Sequence, residues 1–118
     1  DITSVNTFRK LQEQFPSIDH WMIGRGLIAD PWLPYMIKKD TTVYPDQRWE
    51  TFKKFHDTLF HDYEQALSGR SHVLTKMTSY WEYFATQLNN PKKAFKKIKK
   101  AKHINAYHEA VNEILQAE

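Results

Sequence analysis

The stretch WETFKKFHDTLFHDYEQAL, residues 49 to 67, decides how most of the chain is read. Trp49, Phe52, His56, Leu59, Phe60, Tyr63 and Leu67 recur at spacings of three and four, which gathers them on one face of a helix of about five turns. Asp57, Asp62 and Glu64 fall on the opposite, solvated side. Ser68-Gly69 then reads as a left-handed cap. A second helix follows with Leu74, Met77, Trp81, Phe84 and Leu88 in a bundle-type seam. Asn89-Asn90-Pro91 ends it and starts the next, with Asn90 as cap and Pro91 at the first helical position. From Lys92 to Lys102 only Ala94, Phe95, Ile98 and Ala101 form an apolar stripe, and the final helix, Ile104 to Gln116, turns Ile104, Tyr107, Val111, Ile114 and Leu115 inward. Four helices with one apolar face each predict a bundle over residues 44–118.

Upstream the pattern differs. Thr3 or Ser4 can cap a helix carrying Val5, Phe8, Leu11 and Phe15, which Pro16 stops. The apolar run Ile18 to Ile23 ends at Gly24-Arg25-Gly26 and reads as a buried strand with a tight turn. A short helical turn over Leu27 to Ala29 follows, and Asp30 caps a helix beginning at Pro31. Helix, strand, glycine turn and helix make residues 1–43 an α/β piece, and one strand cannot form a sheet alone. The fold class expected is therefore mainly α, a helical bundle preceded by a short α/β segment.

Composition removes several function classes. The 118 residues contain no cysteine, so disulfides and cysteine nucleophiles, acids or metal ligands are excluded from this chain. No apolar run approaches the roughly 20 residues of a membrane helix, and no basic-then-apolar leader opens the sequence. A soluble, cytoplasmic protein without a membrane partner is the expectation. His56 and His61, like His103 and His108, are five residues apart, whereas ligands on one helix face need three or four; no metal site is expected, and His56 reads as a core histidine. No Ser/His/Asp or paired-carboxylate arrangement marks a catalytic residue.

The net charge of +3 is local: seven lysines lie between Lys92 and Lys102. Lys92, Lys93, Lys96, Lys97, Lys99 and Lys100 on one helix create a field suited to a phosphate backbone. The plainer reading is a solvated helix face, and a membrane-lying helix would carry a wider apolar stripe. Lys76, Tyr80 and Tyr83 form a second stripe, which reads either as a base-stacking platform or as the rim of the core with wet hydroxyls.

Met22-Ile23-Gly24-Arg25-Gly26-Leu27 followed by Asp30-Pro31-Trp32 resembles the final barrel strand of tRNA-dihydrouridine synthases, with Asp1-Ile2 similar to the end of that family's preceding strand segment. The match covers the first 40 or so residues, and departs from the family pattern at Leu27, where a small residue is usual, and at Asp30, where Asn is usual. The resemblance implies that residues 1–43 end a flavin-binding (β/α)₈ TIM barrel. Gly24 and Arg25 would then hold the FMN phosphate, and residues 44–118 would be a helical tRNA-binding domain in which Lys76, ahead of Trp81 and Tyr83, also meets RNA. The family's reaction is the NADPH-driven reduction of uridine in tRNA. Its general acid is a cysteine on an earlier barrel loop, so this chain alone is expected to be inactive and to retain no FMN. Dimerisation through the exposed apolar remnant is a further expectation. The alternative reading is a non-enzymatic helical module that binds protein.

Overall fold

In a computed structural model, which describes residues 2–67 and 69–118, the chain forms two compact units, Asp1–Pro45 and Asp46–Glu118. The first begins where the Ser4 hydroxyl accepts the Thr7 N–H at 3.1 Å and caps α1, Val5–Gln14. A five-residue helix, α2 (Arg25–Ala29), and α3 (Leu33–Lys39) follow. Ile2, Val5, Leu33 and Met36 are the buried centre, with Phe8, Leu11, Trp21, Ile23, Trp32, Ile37 and Tyr44 packed around them. Asp30 is buried; its carboxylate accepts the Trp32 N–H at 3.2 Å and the Tyr44 hydroxyl. The helix after Asp30 starts at Leu33 rather than Pro31, because Pro31 and Trp32 are used in that turn.

The strand expected over Ile18–Ile23 does not form. Among the described residues there is no strand at all, and this segment is irregular. A strand is stabilised by ladder partners, and this unit offers none. One side of the run still serves the core: Trp21 packs edge-on to Phe8 at 5.5 Å between centroids and Ile23 is half-buried, while Met22 between them is 88% exposed. Alternation of that kind satisfies the apolar pattern without hydrogen-bonded pairing. The two glycines of the turn differ. A Cβ on Gly26 would stand 2.0 Å from the Ile2 carbonyl oxygen, so the amino-terminal backbone crosses α2 at a point only glycine permits, whereas a Cβ on Gly24 would meet nothing.

The second unit consists of α4 (Arg48–Ala66), α5 (Arg70–Phe84), a 3₁₀ turn (Ala85–Gln87), α6 (Pro91–Lys100) and α7 (Ile104–Gln116). Helix α4 ends with Leu67 extended, and Gly69, at φ +88°, precedes α5 instead of closing α4; Ser68 lies outside the described residues. The Asn90 side chain accepts the Lys93 N–H at 3.3 Å with Pro91 at the first helical position, and the His103 ring accepts the Ala106 N–H at 3.3 Å to open α7. Helix α5 contacts α4, α6 and α7, and is the hub. Its Val73, Met77, Trp81 and Phe84 are buried against Phe52, His56 and Phe60 of α4, Ala94 and Ile98 of α6, and Tyr107, Ala110, Val111 and Ile114 of α7. Phe52 meets Phe84 edge-on at 5.1 Å, and the Tyr107 ring stacks on Phe60 at 5.7 Å. No helix among the described residues is long and apolar enough to cross a membrane.

Candidate nucleic-acid interface

Burial of Ala94 and Ile98 fixes which way α6 faces. At about 100° per residue, Lys92, Lys93, Lys96 and Lys100 then point away from the bundle, and all four are exposed. Lys97 sits on the flank, where its ammonium lies 2.6 Å from the Glu113 carboxylate of α7 with both side chains partly exposed; its charge is already answered within the bundle. Lys99 leans over the Phe95 ring, 4.5 Å from the centroid. Of the lysines on α6, Lys97 is the only one whose ammonium meets a carboxylate among the described residues. The last-turn lysines also face the negative end of the helix dipole, which gives the run a structural benefit besides any ligand.

Lys76 is on the other flank of α5. Its ammonium stands 5.7 Å from the Tyr63 centroid and 5.5 Å from that of Tyr80, and the two phenol oxygens are 2.6 Å apart. Tyr80 also stacks on Phe84 at 5.7 Å, so one of its faces is used in the bundle, and its hydroxyl bonds Tyr63. That hydrogen bond, with burial second, raises the Tyr80 pKa above its ordinary value. Lys76 and the α6 lysines, both expected to meet RNA, are thus on different sides of α5, one against α4 and the others by α6.

In the first unit, Gly24 is the residue ahead of α2 and is exposed, with open space where a side chain would be. Arg25, the first residue of α2, is exposed as well. Backbone N–H groups at a helix start lack intrahelical partners, so the donor chemistry here fits a phosphate.

A buried polar chain escaped sequence reading. The Trp81 indole N–H donates to the Tyr107 hydroxyl oxygen at 2.9 Å, and the Tyr107 oxygen is 2.7 Å from His56 Nε2. His56 Nδ1 is 3.0 Å from Asp57 Oδ1, and Lys53 donates to Asp57 Oδ2 at 2.6 Å. Every atom is satisfied when His56 is neutral with its proton on Nδ1, donating to Asp57 while Nε2 accepts from Tyr107. Burial drives the His56 pKa down, and the Asp57 hydrogen bond and charge only partly oppose it. Burial likewise raises the Tyr107 pKa. For Asp57 burial acts upward but is outweighed by the hydrogen bonds and charges of Lys53 and His56, which hold the carboxyl below its ordinary range. His56 has no exposed surface, so this chain organises the core and offers no site for substrate. Its sequence signal was the histidine on an apolar face alone. Among the described residues no three His, Cys, Asp or Glu side chains converge as metal ligands.

Comparison with known proteins adds no further constraint: no family model, no curated protein and no solved structure matches the chain.

Proposed function

We propose that the chain is the carboxyl-terminal part of a tRNA-dihydrouridine synthase-like oxidoreductase, which reduces uridine to dihydrouridine in tRNA, and that its helical unit contributes tRNA binding. The single observation that carries this reading is the outer face of α6, where Lys92, Lys93, Lys96 and Lys100 are exposed without a carboxylate partner among the described residues. The resemblance of Met22–Leu27 and Pro31-Trp32 to the family's last barrel strand supports the assignment of the first unit to a barrel's end. When bound, FMN would supply the hydride taken from NADPH. Gly24 and Arg25 would hold its phosphate end, and the rest of the cofactor's walls and the general acid would have to come from elsewhere in the parent protein. Such a protein would work in the cytoplasm, where tRNA is.

A salt titration of tRNA binding tests the reading. If about four of the α6 lysines meet phosphates, log K against log salt should fall with a slope of about −3 to −4. Affinity indifferent to salt, or none, would overturn it and leave the helical unit as a protein-binding module.

A further inference from the structure

Four grooves among the described residues of the helical unit differ in charge. In three of them basic side chains and carboxylates line the same groove: Lys93 and Lys97 with Glu113 and Glu118, Lys53 and Lys54 with Glu50, and Arg70 with Glu64, although of these only Lys97 and Glu113 form an ion pair among the described residues. The fourth, about 420 Å³ between α5 and the end of α6, has lysines and no carboxylate. Its sides are Ser71, Leu74, Thr75 and Thr78 of α5 and, opposite, Lys99 in the last turn of α6 with Ala101 and Lys102 of the segment that follows it. We propose that this groove binds the backbone of a single RNA strand and distinguishes RNA from DNA through Thr75. The inference rests on the reading of the helical unit as an RNA binder, and assigns the strand a place on it.

Spacing builds one wall and the approach to it. Ser71, Leu74, Thr75 and Thr78 follow the i, i+3, i+4, i+7 pattern of one helix face, so three hydroxyls are presented in a row with an apolar residue among them. Lys92, Lys96 and Lys99, at i, i+4 and i+7, share one face of α6 and form a ridge leading from the outer lysine face toward the groove. A phosphodiester lying along that ridge enters beside Lys99 and Lys102, in a groove whose own lining includes no carboxylate.

The hydroxyls are not equivalent. Thr75 donates its hydrogen to the Ser71 carbonyl at 2.9 Å, so its oxygen can only accept. The Ser71 and Thr78 side chains have no such commitment among the described residues and are available as donors to phosphate oxygens. Along the sugar–phosphate backbone the ribose 2′-OH is the one hydrogen-bond donor that such an acceptor can meet, and DNA lacks it. Leu74 and Ala101 offer apolar surface for the sugar.

The test is fluorescence anisotropy on the full 118-residue chain with single strands of RNA and DNA of one sequence, about 12 nucleotides long, across a salt series. RNA should bind about 3- to 10-fold more tightly than DNA, the effect of one added hydrogen bond. Thr75→Val, which preserves shape and branching on an exposed turn, should bring the ratio to about one and leave the salt slope unchanged. Lys102→Ala should reduce the slope for both strands by about 0.7. Lys92→Ala with Lys96→Ala should weaken both strands equally, because it thins the outer face and leaves the groove hydroxyls in place. Equal affinity for RNA and DNA, or an unchanged ratio in Thr75→Val, overturns the groove, while loss of affinity in the lysine pair retains the RNA-binding reading. Failure of the unaltered chain to bind either strand overturns both.

Discussion

The hydroxyl of Tyr107 joins two side chains that cannot reach one another in sequence: it accepts from the Trp81 indole at 2.9 Å and stands 2.7 Å from His56, a residue 51 positions earlier. Three helices therefore share one hydroxyl. Tyr107→Phe should leave the Trp81 N–H and His56 Nε2 without partners, at a cost of about 1–3 kcal/mol for each unsatisfied group. Urea denaturation followed by far-UV circular dichroism measures it. A loss below about 0.5 kcal/mol would mean that water replaces the hydroxyl, contrary to the complete burial of these side chains.

The same chain sets a pH dependence. His56 is neutral when folded and its pKa lies below the ordinary 6.5, so the unfolded state binds the extra proton first. Its contribution is complete well above pH 6.5 and is lost as pH falls below that value. Asp57, held below 3.8, adds a second loss only in more acidic solution. Urea midpoints should fall between pH 7.5 and 5, about the range over which an ordinary histidine titrates. In His56→Gln the fall should be much shallower. An equally steep fall in that variant would show that His56 is not its source.

Glycines in the turn before Leu27 have separate roles. Gly26→Ala places a methyl group 2.0 Å from the Ile2 carbonyl, and backbone cannot yield as a flexible side chain does. The expected cost is about 1–3 kcal/mol in the first unit, read from Trp21 and Trp32 fluorescence in urea. Gly24→Ala, with open space around it, should change little.

On α6 the variant Lys96→Ala with Lys100→Ala should flatten the salt slope of tRNA binding by about one to two units and weaken different tRNAs alike, since phosphate contacts position without reading sequence. Helix content should hold or rise, because alanine is the better helix former and Ala94 and Ile98 are untouched. Circular dichroism and binding on one preparation separate charge from folding. Unchanged affinity and slope would remove this face from the interface.

What could be read from sequence was what is local. Asn90-Pro91 and the 3.6-residue spacing from Ile104 to Gln116 set α6 and α7 because a cap and a periodic stripe act within a few residues. The segment Ile18–Ile23 reads as a strand in sequence because an apolar run looks the same whether or not ladder partners exist, and only the packed unit shows that Trp21 and Ile23 turn inward while Met22 does not. His56 was recognisable as a core residue, but not its pairing with Tyr107, which depends on how α4 and α7 meet. Placement of Lys76 with Tyr63, away from the α6 lysines, likewise follows from helix packing that charge patterning does not encode.

The order of the helices gives the shared Tyr107 hydroxyl a meaning during synthesis. Trp81 and His56 leave the ribosome before α7, and until Tyr107 follows them the Trp81 indole N–H and His56 Nε2 have only water as a partner. A nascent chain of α4, α5 and α6 would therefore keep a hydrated seam at its centre, loose enough to reopen. Arrival of α7 would expel that water and close the seam, so a translational pause between α6 and α7 would lengthen the interval in which the chain invites chaperones and proteases.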